Sequence, residues 1–198
     1  MKVLAFSDLH CDRDTARRLV EASAEVDLVI GAGDFASQHR GLEDMIIELA
    51  KIETPTLLIP GNNETEDALR SACAEWDSAQ VLHGSGTEIG GIHFYGLGAG
   101  IPTTPWDWSF DLTEEEAEAG LRDCPAEGVL VVHAPPYGHC DQSAAGEHLG
   151  SHAIRAAIEQ RRLQMAVCGH IHESWGTRSE IADTPIANLG PDGTLLEL

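Results

Sequence analysis

Short apolar runs alternate along the chain with stretches of helical spacing, and several runs end in a polar cluster of Gly, Asp, Asn or His. Val3-Leu4-Ala5-Phe6 leads into Ser7-Asp8-Leu9-His10, residues 26–30 lead into Gly31-Ala32-Gly33-Asp34, and residues 56–59 lead into Pro60-Gly61-Asn62-Asn63-Glu64. Two later runs repeat the pattern: residues 129–132 end at His133, and residues 165–168 end at Gly169-His170-Ile171-His172. Runs of this length, bounded by turn residues, predict buried strands. Five strands would therefore deliver polar side chains at their C-terminal ends.

Between them, Leu42, Met45, Ile46, Leu49 and Ala50 follow the i, i+3, i+4, i+7, i+8 spacing of an amphipathic helix. Thr113-Glu114-Glu115-Glu116 has the spacing of a capping box ahead of Ala117 and Leu121, and Ala153, Ile154, Ala157 and Ile158 predict a helix before the run at Met165. The apolar faces of these helices would cover a sheet. Gly90-Gly91 between two β-rich segments predicts a hairpin over residues 87–97. Residues 175–198 read as further strands, broken at Asp183, Pro185 and Pro191-Asp192-Gly193. An early α/β half thus gives way to a strand-rich half. Residues 98–108 match no pattern and predict a surface loop whose Trp106 and Trp108 act as packing anchors, although a loop so rich in Gly, Pro and Trp can line a cleft.

The chain has 198 residues, and at roughly 100–200 residues per domain this predicts one domain over 1–198. No apolar run approaches the ~20 residues of a membrane helix, and the apolar start ends at Ser7-Asp8, short of a signal-peptide core. A soluble cytoplasmic protein, without a membrane partner, is expected. Charge changes the picture more: 12 basic against 33 acidic residues give −21. Such a surface repels phosphate backbones, so binding to a nucleic-acid duplex is not expected unless metal ions reverse the sign locally. Acidic, lysine-poor surfaces also suit a salt-rich cytoplasm. The five cysteines, Cys11, Cys73, Cys124, Cys140 and Cys168, are odd in number and lack a CxxC pair. They predict small buried hydrophobes and neither a disulfide framework nor a zinc ribbon.

The candidate chemistry lies in the strand-end clusters taken together. Asp8, His10, Asp34, Asn62, His133, His170 and His172 offer oxygen and imidazole donors without thiolates, which suits Mn, Fe, Zn or Mg, and seven donors exceed the needs of one ion. A two-metal site follows, in which one carboxylate bridges ions roughly 3.5–4 Å apart and a bridging hydroxide serves as nucleophile. Asp34 is the candidate bridge. The His170-x-His172 pair could give one imidazole to each ion.

Asp8-x-His10, Gly33-Asp34, Gly61-Asn62, His133 and Gly169-His170-x-His172, in this order, resemble the motif set of the calcineurin-like metallophosphoesterase superfamily, with residues 133–138 and 168–173 similar to small single-domain microbial members. The resemblance runs from residue 2 to about residue 190. It implies an α/β fold, a four-layer α-β-β-α sandwich of two mixed sheets flanked by helices. It also implies two divalent ions, one held by Asp8, His10, Asp34 and His172 and the other by Asp34, Asn62, His133 and His170. Mn²⁺ is the expected activator, with Fe, Zn, Ni or Mg as alternatives. The implied reaction is in-line hydrolysis of a phosphate ester, either a diester or a monoester, with Asn62, His133 and Asp34 as the catalytic residues.

One departure stands out: Gly61-Asn62-Asn63-Glu64 replaces the usual Gly-Asn-His-Asp. A carboxamide at 63 cannot deliver a proton, so general-acid help of about 10²–10⁴-fold would be missing. Two expectations follow, restriction to good leaving groups or replacement of the acid by another group such as His139, which by itself reads first as a solvent-exposed loop residue. Glu64 is expected to orient a ligand histidine as an acceptor. His39, His83, His93, His148 and His152 read as structural or exposed, and Asn188-Leu189-Gly190-Pro191 as a turn. The alternative function is a catalytically weak or inactive metal-binding scaffold of the same fold. A DNA-processing nuclease conflicts with the charge, and a homo-oligomer is left open.

Overall fold

The computed structural model describes residues 1–198. The first sheet is built from β1 (Lys2–Phe6), β2 (Leu28–Gly31), β3 (Thr56–Leu58), β4 (Ala79–Val81) and β11 (Thr194–Glu197), in the order β11-β1-β2-β3-β4. Only β11 runs antiparallel to its neighbour. The second sheet contains β5 (Ser85–Ile89), β6 (Ile92–Leu97), β7 (Val129–Val132), β8 (Met165–Cys168), β9 (Arg178–Ile181) and β10 (Thr184–Asn188), in the order β5-β6-β7-β8-β10-β9. Its four inner strands are parallel and its two edges antiparallel.

The strands read as unbroken apolar runs because both faces of each sheet are covered. In β1, Leu4 and Phe6 enter one core layer while Val3 and Ala5 enter another. In β7, Leu130 and Val132 face outward helices, and Val129 and Val131 meet the first sheet's Val3, Leu28 and Ile30. α1 (Arg13–Ser23), α2 (Leu42–Leu49) and α3 (Glu66–Ala72) cover the first sheet through Leu19, Met45, Ile46, Leu49 and Leu69. α4 (Glu114–Gly120) and α5 (His152–Arg161) cover the second through Ala117, Ile154 and Ile158. The result is the expected α-β-β-α sandwich of two mixed sheets.

The capping box of α4 is formed, with Thr113 accepting from the Glu116 amide and Glu116 accepting from the Thr113 amide. The hairpin turns at Gly90-Gly91 as expected. Pro185 does not break a strand. It lies inside β10 opposite Glu180 of β9, and the pairing with β8 begins one residue later at Ile186, so no inter-strand bond to β8 loses its donor. The sequence pattern also missed α1, α3 and β4, which are short or carry few apolar positions. No helix is long and apolar enough to cross a membrane. All five cysteines are free, with Cys73, Cys124 and Cys168 buried but Cys11 and Cys140 only half-buried.

Candidate metal centre

The polar clusters that follow β1, β2, β3, β7 and β8 meet at one edge of the sandwich. Asp8, His10 and His172 form one group of donors, and Asp34, His133 and His170 form a second, with the donor atoms of each within 4.8 Å of one another. His170 and His172 therefore fall in different groups, as the two-residue spacing suggested. Asp34 faces both: its Oδ2 lies 3.6 Å from His10 Nε2 and its Oδ1 3.4 Å from His133 Nε2. Asn62 Oδ1 lies 3.3 Å from the same His133 nitrogen. All seven donors named from the sequence are thus brought together.

Reaching this arrangement demands unusual backbone. Asp8 (φ 59), His10 (φ 42), Asp34 (φ 60) and His170 (φ 68) all occupy the left-handed region, where a residue with a Cβ is strained, and strain of this kind concentrates at functional sites. Gly61 shows how closely the loops pack: a Cβ there would stand 2.1 Å from Asp34 Oδ1 and 2.3 Å from Asp34 N. A Cβ on Gly33, itself at φ +91, would meet Gly61 Cα at 2.6 Å and His133 Nδ1 at 2.7 Å. These glycines permit the approach of one ligand loop to the next.

The donor chemistry fits a cation. His133 Nδ1 faces the Ala32 carbonyl at 2.8 Å, and because a carbonyl only accepts, this nitrogen carries the proton and Nε2 presents a lone pair. That lone pair points at Asn62 Oδ1 and Asp34 Oδ1, both acceptors. The amide is fixed in this sense because Asn62 Nδ2 donates to Ser109 Oγ at 2.9 Å, and Ser109 Oγ donates to Asp111 Oδ1 at 2.6 Å. Three converging lone pairs need a second proton on His133 or a positive ion. His10 Nε2 and His172 Nε2 face each other at 3.1 Å, a distance at which either ring can donate to the other according to its tautomer.

The electrostatics follow from the same crowding of acceptors around His133. Burial alone would push the His133 imidazole down, but the Asp34 charge, the bond to it and the Asp8 charge outweigh burial and hold it up to about 10. Burial raises the Asp34 carboxyl, yet His133, His10 and His170 overcome this and keep it below the usual carboxylate range. His170 is pushed down to about 3 by burial and by neighbouring His133, so it is a neutral donor. Asp8 is raised, first by burial, against the pull of His133.

Further residues support the donors. Asp8 accepts from Ser7 Oγ, from the His170 amide at 3.1 Å and from Trp175 Nε1 at 3.2 Å. Asn188, expected only in a turn, is buried, and its Nδ2 donates to the carbonyls of Cys140, Gly169 and Ile171, holding the loop that carries His170. Asn63 is also buried. Its Nδ2 donates to Asp34 Oδ2 at 2.7 Å, its amide to Asp34 Oδ1 at 2.9 Å, and its Oδ1 accepts from the Gln38 amide at 2.8 Å.

One expectation needs correction, and the lining of the cleft bears on two alternatives that the sequence left open. Glu64 orients no histidine: it accepts from the amides of Asp34, Gly61 and Ala36 at 2.8, 2.7 and 2.9 Å, so it knots the ligand loops, while Ala32 orients His133. Burial, reinforced by the Asp34 charge, raises its carboxyl to about 7 against the pull of the Ala36 and Gly61 amides. His139 does not line the cleft beside the donors; its surroundings are Arg155, Asp141, Glu159 and His148. Trp106 and Trp108 line that cleft as well as packing on each other. Of the remaining histidines, His83 accepts from the Gly98 amide, His148 pairs with Asp141, His152 stacks on Tyr137, His39 bonds the Trp108 carbonyl, and His93 is exposed.

Comparison with known proteins agrees with this fold. A curated relative, UPF0046 protein T07D4.2 of Caenorhabditis elegans, is 29% identical over 111 residues, covering 52% of this chain and 26% of the relative, so the match spans about a quarter of that protein. A dimetal phosphatase from Danio rerio superposes with a TM-score of 0.67 at 14% identity over 96% of this chain and 87% of its own. An archaeal phosphodiesterase superposes with a TM-score of 0.54 at 18% identity over 96% and 84%. At these identities the two structures establish the shared fold. A family model for calcineurin-like phosphoesterases matches residues 1–174, which include all seven donors, and the chain belongs to that family.

Proposed function

We propose that the protein is a metal-dependent phosphoesterase that hydrolyses phosphate esters in line at a two-metal centre. The observation that carries this reading is Asp34, whose two oxygens face opposite donor groups. Asp8, His10, Asp34 and His172 would hold one divalent cation, and Asp34, Asn62, His133 and His170 the other. Such a pair supplies a water of lowered pKa as nucleophile and neutralises charge developing on the phosphoryl oxygens. Mn²⁺ is the proposed activator, ahead of Fe, Zn, Ni and Mg.

The chain's own residues prepare this chemistry. Ala32 holds His133 with its proton on Nδ1, Ser109 holds Asn62 with its oxygen toward the site, and Asn63 holds both Asp34 oxygens. The histidines that line the cleft, His10, His170 and His172, are all donors, so none is free to protonate a leaving group. Esters with good leaving groups, aryl diesters foremost, are therefore the proposed substrates. The archaeal phosphodiesterase and the Danio rerio phosphatase, which share this fold, leave both ester classes open. A charge of −21 further favours small esters over a nucleic-acid duplex.

The test is to titrate metal-free protein with Mn²⁺ while following hydrolysis of an aryl phosphodiester and an aryl phosphomonoester, beside Asp34→Asn. Binding of two Mn²⁺ per chain, with turnover that Asp34→Asn lowers by at least about 10²-fold, is the expected result. Stoichiometric binding without turnover would assign the protein to a scaffold role, and binding of a single ion would overturn the two-metal reading.

A further inference from the structure

The cleft beside the donors encloses about 630 Å³, and its two walls differ in kind. One wall is the donor set. The other comes from the segment between β6 and α4, which presents Pro102, Pro105, Trp106 and Trp108, with Leu149 at the rim. Trp106 and Trp108 stack with ring centroids 5.6 Å apart and planes 10° apart, and Trp108 is backed by the His39 ring at 6.5 Å, edge to face. Trp106 nevertheless remains 49% exposed and Leu149 44% exposed. Of the four large apolar side chains that this protein leaves exposed, two therefore border the same cleft.

This apolar wall is braced. Asp111 Oδ2 accepts from the Thr104 amide at 2.6 Å and from its hydroxyl at 2.7 Å, and Asp111 Oδ1 accepts from Ser109, the residue that orients Asn62. The Phe110 amide donates to the Asn62 carbonyl at 2.9 Å. The tryptophan pair is thus positioned by the same bonds that position a proposed metal ligand. The charge of the lining completes the argument. None of its 18 residues is Lys or Arg, and the only formal charge outside the donor set is the carboxylate of Glu173. A substituent bearing its own anionic group would find no counter-charge there, whereas a planar neutral ring would find a preformed stacking surface.

We propose that this site takes a phosphate ester whose organic group is flat, aromatic and uncharged, stacked on Trp106 and bordered by Leu149. The assignment rests on the phosphoesterase reading above and specifies its substrate class. The experiment uses four phosphonates, methyl, benzyl, cyclohexylmethyl and 4-carboxybenzyl, on the Mn²⁺-loaded protein, both as competitive inhibitors of aryl diester hydrolysis and by calorimetry. Benzylphosphonate is expected to bind about tenfold more tightly than methylphosphonate, and several-fold more tightly than cyclohexylmethylphosphonate, which matches its bulk without its π-face. The carboxylate should cancel most of that advantage. Trp106→Leu is expected to bring the benzyl-to-methyl ratio to within about twofold, and Trp106→Phe to keep part of it. Melting temperatures show whether each variant remains folded.

Equal binding of the benzyl and cyclohexylmethyl compounds, or a ratio that survives Trp106→Leu, would overturn the aromatic assignment while leaving the hydrolase intact. An aromatic preference in calorimetry without any turnover would uphold the binding surface and overturn the catalytic reading. Failure of every phosphonate to bind would overturn the aromatic assignment, and the same failure without turnover of the aryl diester would overturn both.

Discussion

Asn63 lines the cleft at the position where the family pattern has a histidine, and it makes three hydrogen bonds, two to Asp34 and one from the Gln38 amide. Without an acid, the rate should depend steeply on leaving-group pKa, with nitrophenyl esters far ahead of alkyl esters. Asn63→His is expected to narrow the aryl-to-alkyl rate ratio by at least about tenfold, even if the loss of bonds to Asp34 lowers all rates. Asn63→Ala should leave that ratio unchanged and destabilise the protein by about 1–3 kcal/mol, because a buried partner of a charged group is lost. Ratios measured over a series of esters decide the matter, since a purely structural role for position 63 predicts no change with histidine. At this scale the sequence is uneven evidence. The seven donors were legible because each follows an apolar run and carries ligand chemistry. Ser109, Asp111, Asn188 and Trp175 were not, because their roles arise from what lies beside them in space. Glu64 misled for the same reason: its chemistry suited a histidine partner, but the fold gives it three amides.

Among the elements, α1 and α2 are joined by a polar clasp as well as by their apolar faces. The carboxylate of Glu48 in α2 meets Lys51, and Arg13 and Arg17 of α1 approach it at 3.7 Å each. The hydrogen bond from Lys51, with the charges of Arg17 and Arg13, holds its carboxyl below the usual range. A carboxyl whose folded value is depressed contributes stability above its unfolded value, about 4.3, and loses that contribution as pH falls through the folded value. Wild-type protein should therefore melt higher than Glu48→Gln at neutral pH, and the gap should close as the pH drops below about 4. A gap that persists at low pH would mean that Glu48 acts through packing alone. α2 itself was readable from its 3.6-residue period. α1, whose only apolar residues are Ala16, Leu19, Val20 and the exposed Ala22, was not, and neither was the three-residue strand β4, whose place at a sheet edge comes from pairing with β3. Pro185 marks the opposite error, a local breaker tolerated because only one neighbouring strand runs beside it.

For the molecule as a whole, the four layers follow from runs that are apolar at successive positions, whereas the charge is a separate fact with its own consequence. Ion pairs with Lys or Arg engage Asp14, Asp44, Glu48, Glu66, Glu159 and Asp192, so most of the 33 acidic residues lack a cationic partner. Salt acts on these two populations in opposite directions. It weakens the paired groups, each worth little when exposed, and it relieves the mutual repulsion of a chain carrying −21. Raising KCl from about 0.01 M to about 1 M shortens the screening length from about 30 Å to about 3 Å, which removes repulsion between distant carboxylates almost entirely while leaving close pairs partly intact. Repulsion should therefore win, and the melting temperature of metal-free protein should rise by at least about 3 °C, equivalent to ~1 kcal/mol for a chain of this size. Keeping the protein metal-free separates this screening from stabilisation by bound cations, which would act by mass action at the donor groups. A melting temperature that stays flat or falls with KCl would show that the few close pairs, with the Glu48 clasp foremost, outweigh the repulsion of the remaining surface.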